Sequence, residues 1–121
     1  MISSTDDDYW QSLQSLLSSA RLIVDRPRGQ AHPRYPDLIY PRDYGYLEGT
    51  VAGDGAGIDV WIGTSGAKKL TGILCTFDTV KLDAEVKLLA DCNAQDLQAI
   101  LQFNQKFVRY VYIPRPQDTL K

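Results

Sequence analysis

Residues 40–61, YPRDYGYLEGTVAGDGAGIDVW, constrain the fold more than any other stretch of the chain. Aromatic and aliphatic residues at the two ends predict two strands, and the glycines between them predict a tight loop. Strands joined by so short a loop pair antiparallel. The segment therefore predicts a β-hairpin around which the rest of the chain is arranged.

The predicted hairpin loop carries two acidic residues, Asp54 and Asp59, which lie five residues apart. Aspartate and glycine between apolar strands are ordinary turn residues. Carboxylates aimed at one point also suit Mg²⁺, Mn²⁺ or Ca²⁺ better than zinc, so the loop has two interpretations. Alternation along residues 58–62 places Asp59 opposite the aliphatic side chains, where burial of its charge requires a cation or several hydrogen-bond donors.

A second pair of acidic residues repeats this spacing. Asp78 and Asp83 also lie five residues apart, and they bracket the turn between predicted strands at residues 70–77 and 84–90. One such pair is commonplace at a turn. Two pairs in a chain of 121 residues favour a shared role in binding a cation.

The stretch between a short predicted strand at residues 22–24 and the hairpin is rich in proline, arginine and tyrosine. Its prolines exclude a helix and disfavour a central strand. Arginines near carboxylates suit an anion held beside metal ions; the alternative is a solvated loop with tyrosines packed beneath it. His32, the single histidine, lies here. We interpret it as a solvated loop residue, with a catalytic role as the alternative.

Helical patterns flank this region. Thr5 and the three aspartates after it predict a helix over residues 6–19, and we interpret those acids as helix-start residues rather than ligands. Asn93 and Asp96 mark the start of a second helix over residues 94–106, followed by a strand at 108–113. The prediction is a mainly β, α+β fold: five or six strands in a mostly antiparallel, closed or half-closed small barrel capped by helices.

Composition narrows the classes of function. The chain has the length of one domain, and we treat residues 1–121 as such. A net charge of −2 without a basic block argues against nucleic acid as a partner. There is no apolar run of the ~20 residues that a membrane span needs, and the acidic N-terminus is unlike a secretory signal. Cys75 and Cys92 are interpreted as reduced thiols, which predicts a cytoplasmic protein.

These motifs resemble those of the soluble (family I) inorganic pyrophosphatases. Residues 40–46, YPRDYGY, are similar to the family's YPxxYGY, and residues 54–60, DGAGIDV, to its DGDPxDV. Residues 72–78 and 83–85, GILCTFD and DAE, are similar to its GVLxxxD and DAK. Upstream, Asp25 and the Arg34–Tyr35 pair match the family's Glu and Lys-Tyr. The resemblance spans residues 25–86.

The resemblance implies a five-stranded OB-like barrel with flanking helices, and hydrolysis of pyrophosphate to two phosphates by a water that Mg²⁺, with Mn²⁺ as the alternative, activates. It also implies a homo-oligomer. Metal ligands would be Asp54, Asp59 and Asp83 for the first ion, Asp59 also for a second, Asp78 and Asp83 for a third brought with the substrate, and Asp25 for a further ion. Arg34 would grip phosphate, Tyr44 would lie near the nucleophilic water, and Lys106 or Arg109 would supply a late phosphate contact.

The sequence also departs from the family pattern. The middle acid of DGDP, the general base, is Ala56, and a phosphate-binding lysine is Glu85. We therefore keep three hypotheses: an Mg²⁺-dependent pyrophosphatase, with Asp37 or Asp43 as a substitute base; a hydrolase of another phosphoanhydride or phosphoester, such as a nucleotide; and a non-catalytic relative that binds metal or phosphate. Trp61 shares the face of Asp59, and we expect it to pack against the first helix or an oligomer partner.

Overall fold

The computed structural model describes residues 4–117, which form six strands and two helices. The elements are α1 (Ser4–Ser19), β1 (Leu22–Arg26), β2 (Asp43–Leu47), β3 (Ile58–Ile62), β4 (Leu70–Asp78), β5 (Asp83–Ala90), α2 (Ala94–Asn104) and β6 (Arg109–Pro114). Each predicted element is present. The strand expected from residue 44 to 51 already ends at Leu47, and Thr5 lies inside the first turn of α1 rather than before it. None of the helices in residues 4–117 has the length and apolar character to cross a membrane.

The strands form one sheet in the order β1-β2-β3-β5-β4-β6. Four of the pairings are antiparallel, as predicted, while β3 and β5 run parallel. The parallel pair arises because β4 lies outside β5, so the chain crosses over before β5 returns beside β3. In the described part of the chain β1 and β6 stand at opposite ends of this order, so the sheet is open.

The face of the sheet that carries Val60 packs against α1. Trp10 and Leu17 of the helix are buried against Leu47, Val60 and Leu88 of three different strands. The helical spacing of the apolar residues on α1 creates the single stripe that this contact requires. Burial of this stripe fixes the first helix on one side of the sheet.

The opposite face packs against α2 and the proline-rich segment. Trp61 is 1% exposed and contacts the rings of Tyr40, Tyr44 and Phe103, with centroids 5.7, 4.6 and 5.6 Å away. The expectation that Trp61 packs against the first helix or an oligomer partner was therefore wrong. Alternation along β3 sends Val60 towards α1 and Trp61 the other way, and α2 is the helix that lies there.

Asp96 joins three segments at the start of α2. Asn93 Oδ1 accepts from the Asp96 amide at 2.7 Å, and Asp96 Oδ2 accepts from the Asn93 amide at 3.0 Å, which is the predicted helix start in the form of a capping box. The same carboxylate accepts from Arg42 Nε at 2.6 Å and from Thr64 Oγ1 at 3.0 Å. Asp96 is 1% exposed, so it connects α2 to the proline-rich segment and to the loop after β3.

Gly45 explains the glycine of the YPRDYGY motif. It pairs with Val24 across β1 and β2. A Cβ atom at this position would overlap the carbonyl oxygen of Ile23. Only glycine therefore allows β1 to approach β2 at this register.

We expect Asp96→Ala to lower the free energy of unfolding by about 3 kcal/mol or more, because it leaves Arg42 Nε, the Asn93 amide and the amide and hydroxyl of Thr64 without this acceptor. Urea denaturation measures this change. The matched control, Gln98→Ala on the exposed side of α2, should change stability by no more than about 0.5 kcal/mol. Equal stability of the two variants would contradict the role assigned to Asp96.

Candidate functional site

A buried lysine lies at the centre of the α2-side face of the sheet. Lys87 Nζ donates to Tyr44 Oη at 2.9 Å, to Asp59 Oδ2 at 3.0 Å and to Glu85 Oε1 at 3.2 Å. An ammonium group has three N–H donors, so each donor has a partner. We call these four residues the Lys87 cluster.

Strand alternation assembles this cluster. Glu85 and Lys87 lie two residues apart on β5 and so share a face. Asp59 and Tyr44 reach the same face from β3 and β2, which pair antiparallel with each other, while β3 and β5 pair in parallel. The cluster therefore joins three neighbouring strands through side chains.

The Lys87 cluster is shielded from solvent. The exposed fractions of its Lys87, Glu85 and Asp59 side chains are 12, 16 and 25%. Burial alone lowers the pKa of Lys87, but the oxygens of Tyr44 and Asp59 outweigh it and raise the pKa above its ordinary value. Burial raises the pKa of Tyr44, and the charge of Asp59 adds to that shift, so the phenol stays protonated. Near neutral pH the cluster thus contains an ammonium and a neutral phenol.

Two of the five predicted metal ligands are engaged in their own turns. Asp54 Oδ1 accepts from the Ala56 amide at 3.0 Å. Asp78 Oδ1 accepts from the amides of Val80 and Lys81 at 2.9 and 3.0 Å. The hydrogen bond from the Lys81 amide contributes most to lowering the pKa of the Asp78 carboxyl group, and that from the Val80 amide comes next. These bonds are typical of Asx turns, which is the turn interpretation left open by the sequence.

The other predicted ligands lie in three places. Asp83 pairs with Asp78 across the β4–β5 hairpin, Asp59 belongs to the Lys87 cluster, and Asp25 is exposed beside the irregularity in β1. Within residues 4–117, no three or more His, Cys, Asp or Glu side chains gather as a metal ion requires. The metal-binding roles of these residues stay predictions.

The donor atoms around Asp59 suit an ammonium group rather than Mg²⁺. Mg²⁺ requires near-octahedral oxygen ligands at about 2.0–2.1 Å. Here Asp59 Oδ2 and Glu85 Oε1 point instead at Lys87 Nζ, at hydrogen-bond distances. In this arrangement the residues do not fit a resident divalent ion, since Lys87 already supplies the positive charge.

The proline-rich segment covers the neighbouring part of this face. Its Tyr40 is buried, and Arg26 donates to the Tyr40 hydroxyl at 2.9 Å. His32 stacks on the Tyr40 ring with an interplanar angle of 5° and accepts a hydrogen bond from the Arg34 amide at Nδ1, 3.0 Å away. Tyr40 is thus packed beneath the segment while Arg34 is exposed, as expected for a solvated loop with tyrosine packed under it; anion binding by its arginines stays a prediction.

Positive charges gather around His32. Burial lowers the pKa of His32, and the charges of Arg26, Arg34 and Lys81 lower it further. Lys81 comes from the β4–β5 turn, Arg26 from the end of β1 and Arg34 from the proline-rich segment. We call Arg26, Arg34 and Lys81 the basic rim. The charges of Lys81 and Arg34 also contribute to lowering the pKa of Asp78, after the hydrogen bonds from the Lys81 and Val80 amides.

Tyr40 connects the basic rim to the Lys87 cluster. Its ring lies 5.8 Å from that of Tyr44, and its hydroxyl accepts from Arg26. Burial raises the pKa of Tyr40, while the charges of Arg26 and Lys87 oppose this shift. The two groups of charges therefore act on one buried phenol.

Lys106 lies outside both groups. It is exposed in the turn after α2, next to Phe107, whose ring lies 5.9 Å from that of His32. Arg109, the alternative residue, is exposed at the start of β6 and pairs with Phe77. Phosphate contacts by either residue stay predictions.

Lys87 is the functional candidate that the sequence analysis missed. Its spacing from Glu85 indicates a shared strand face. That spacing alone does not reveal that Asp59 and Tyr44 lie on neighbouring strands. The chain forms β4 before β5, yet β5 lies between β3 and β4 in the sheet.

The fold is similar to solved pyrophosphatase structures. An inorganic pyrophosphatase from Coxiella burnetii matches with a TM-score of 0.62 at 17% identity, over 78% of this chain and 84% of that one. An inorganic phosphatase from Anaplasma phagocytophilum matches with a TM-score of 0.56 at 17% identity, over 78% and 83%. An inorganic pyrophosphatase from Thermus thermophilus matches with a TM-score of 0.51 at 18% identity, over 78% and 81%.

No family model matches the sequence, and neither does any curated protein. At such low identity the structural matches establish the fold alone. They confirm the predicted mainly β, OB-like architecture of the pyrophosphatase type, here as an open six-stranded sheet with two helices.

We expect the single histidine to titrate below its ordinary pKa of 6.5, because burial and the basic rim disfavour imidazolium. Between the lowered pKa and 6.5 the unfolded chain binds more protons, so this residue makes folding less favourable as the pH falls through that window. An NMR titration of the His32 ring measures the midpoint.

Arg34→Met should raise that midpoint, since it removes one of the positive charges. Arg21→Met, far from His32 and beside Glu48, should leave it unchanged. A titration midpoint of His32 at or above pH 6.5 in the wild-type protein would contradict the closeness of the basic rim to His32.

Proposed function

We propose that this protein hydrolyses inorganic pyrophosphate, presented as its magnesium complex, to two phosphates. The proposal is supported by the positive charges of Lys81 and Arg34, which act on Asp78, and by the pairing of Asp78 with Asp83 across the β4–β5 hairpin. Cations beside paired carboxylates suit a polyanion that arrives with its own divalent ion. The pyrophosphatase-type fold supports the same substrate class.

Each part of this surface has a role in the proposal. Arg34 binds a phosphoryl group, since a guanidinium fork matches phosphate oxygens, and Arg26 and Lys81 add positive charge. Asp78 and Asp83 take the Mg²⁺ that the substrate carries. When bound, such an ion polarises phosphoryl oxygens and lowers the pKa of a water ligand.

The Lys87 cluster changes two roles that the sequence resemblance implied. The Tyr44 hydroxyl accepts from Lys87, which also donates to Asp59, so we propose that Tyr44 positions the Lys87–Asp59 pair. A resident Mg²⁺ bound through Asp59 Oδ2 would compete with Lys87 for that oxygen. We therefore assign no step to a resident ion.

Turnover should be slow because the general-base position is Ala56. A positioned general base contributes about 10²–10⁴-fold to the rate. Asp43 Oδ1 already accepts from the Arg28 amide at 2.8 Å, which engages one of the proposed substitutes.

The second candidate function is non-catalytic binding of phosphate or pyrophosphate. Two observations favour it. The general-base position is occupied by Ala56, and Asp59 is hydrogen-bonded to Lys87. Among residues 4–117, no three metal-ligating side chains gather around it. The basic rim would serve anion binding equally in this case.

The proposal includes three further predictions about the protein. They are a cytoplasmic location, homo-oligomerisation and a phosphate contact by Lys106. Val111 and Ile113 are exposed on β6, at the free end of the sheet order, and offer an apolar surface for subunit contact.

Phosphate release from pyrophosphate with Mg²⁺ tests the proposed function. We expect slow wild-type turnover, a loss of about tenfold or more in Asp83→Asn, and a gain of about tenfold or more in Ala56→Asp, because the last change restores a base. Asp7→Asn, on the exposed first turn of α1, is the matched control and should behave as wild type.

Absence of turnover in both wild type and Ala56→Asp would reject hydrolysis of pyrophosphate, and a nucleotide panel would then be assayed. Adding pyrophosphate should raise the titration midpoint of His32, since a bound polyanion offsets the rim charges. A raised midpoint without turnover would favour the non-catalytic candidate.

A further inference from the structure

We infer that Lys87 is an internal cation that occupies the Asp59–Glu85 carboxylate site in place of a divalent metal ion. The free protein then folds and keeps this face of the sheet ordered without a resident metal. The inference concerns the same face as the proposed function but holds whether or not pyrophosphate is hydrolysed.

The geometry around Nζ supports this assignment. Three oxygens from three strands converge on one nitrogen at 2.9, 3.0 and 3.2 Å. The lysine is thereby held by carboxylates on two sides and by a phenol on the third. A metal ion at Asp59 Oδ2 would have to displace the ammonium from the same oxygen.

Charge supports it as well. Asp59 and Glu85 each carry a formal charge of −1 in the ionised state, and Lys87 balances one of these charges at hydrogen-bond distance. Adding a divalent ion beside the retained ammonium would place like charges a few ångströms apart. Moving the ammonium out would require a buried side chain to find new partners.

The position of Lys87 in the sheet makes such a movement unfavourable. Its backbone lies between β3 and β4, where it pairs with Leu74, and its neighbours Leu88 and Leu89 are buried in the two cores. The side chain is therefore fixed by strand pairing and by its contacts.

Removing the ammonium should create a divalent site. In Lys87→Met the two carboxylates lose their cation and repel one another, while the Tyr44 oxygen remains available. Oxygen donors with excess negative charge bind Mg²⁺ and Mn²⁺. The single substitution Lys87→Met should therefore create a metal site where the lysine now supplies the positive charge.

The test measures Mn²⁺ binding in the absence of pyrophosphate, from the electron paramagnetic resonance signal of free Mn²⁺. We expect wild type, Asp59→Asn and the control Lys69→Met, whose side chain is exposed, to bind Mn²⁺ equally weakly. Lys87→Met should bind at least about tenfold more tightly, a difference of about 1.4 kcal/mol, and added Mg²⁺ should raise its melting temperature.

Two results would overturn the inference. One is wild-type binding of Mn²⁺ that Asp59→Asn abolishes, because Asp59 would then hold a metal despite Lys87. The other is a folded Lys87→Met protein that binds no more tightly than wild type.

If Lys87→Met is unfolded without metal, restoration of its circular dichroism spectrum by Mn²⁺ supports the inference, and failure of Mn²⁺ to restore it overturns it. Lys87→Arg keeps the charge and should bind Mn²⁺ no better than wild type. Since no pyrophosphate is present, a negative turnover assay leaves every one of these outcomes unchanged.

Discussion

The contact of the Lys87 ammonium with the carboxylates of Asp59 and Glu85 is the interaction on which this face of the sheet depends. Asp59 lies on β3 opposite the aliphatic core, so its charge needs a partner that the fold itself supplies. Lys87 supplies it from β5, and Tyr44 completes the set from β2. Loss of one partner would leave a shielded charge uncompensated, which is why the three strands must form together.

The two faces of the sheet differ in the side chains that they carry. The α1 side is an apolar core whose contacts are insensitive to ions. The α2 side combines an aromatic core around Trp61 with the Lys87 cluster and, at its edge, the basic rim. Asp96 connects that side to the proline-rich segment through Arg42, which helps to hold the loop that bears Arg34 against the sheet. A polyanion would meet both on one surface.

Much of this architecture follows from local patterns in the sequence. The alternation that set Asp59 apart from Val60 and the Asn93–Asp96 capping pair both predicted what the structure contains, because each depends on residues close in the chain. Trp61 was assigned the wrong neighbour because alternation defines a face but not the helix that covers it. Lys87 was missed because its partners come from strands that a crossover brings together, and no local spacing encodes that crossover.

The most direct measurement is a crystal structure of the wild-type protein grown with Mn²⁺ and recorded at a wavelength where manganese scatters anomalously. We expect no anomalous peak within ligand distance of the Asp59 carboxylate, and Lys87 Nζ between Asp59, Glu85 and Tyr44. A manganese peak bound to Asp59, with the Lys87 side chain turned away, would contradict it.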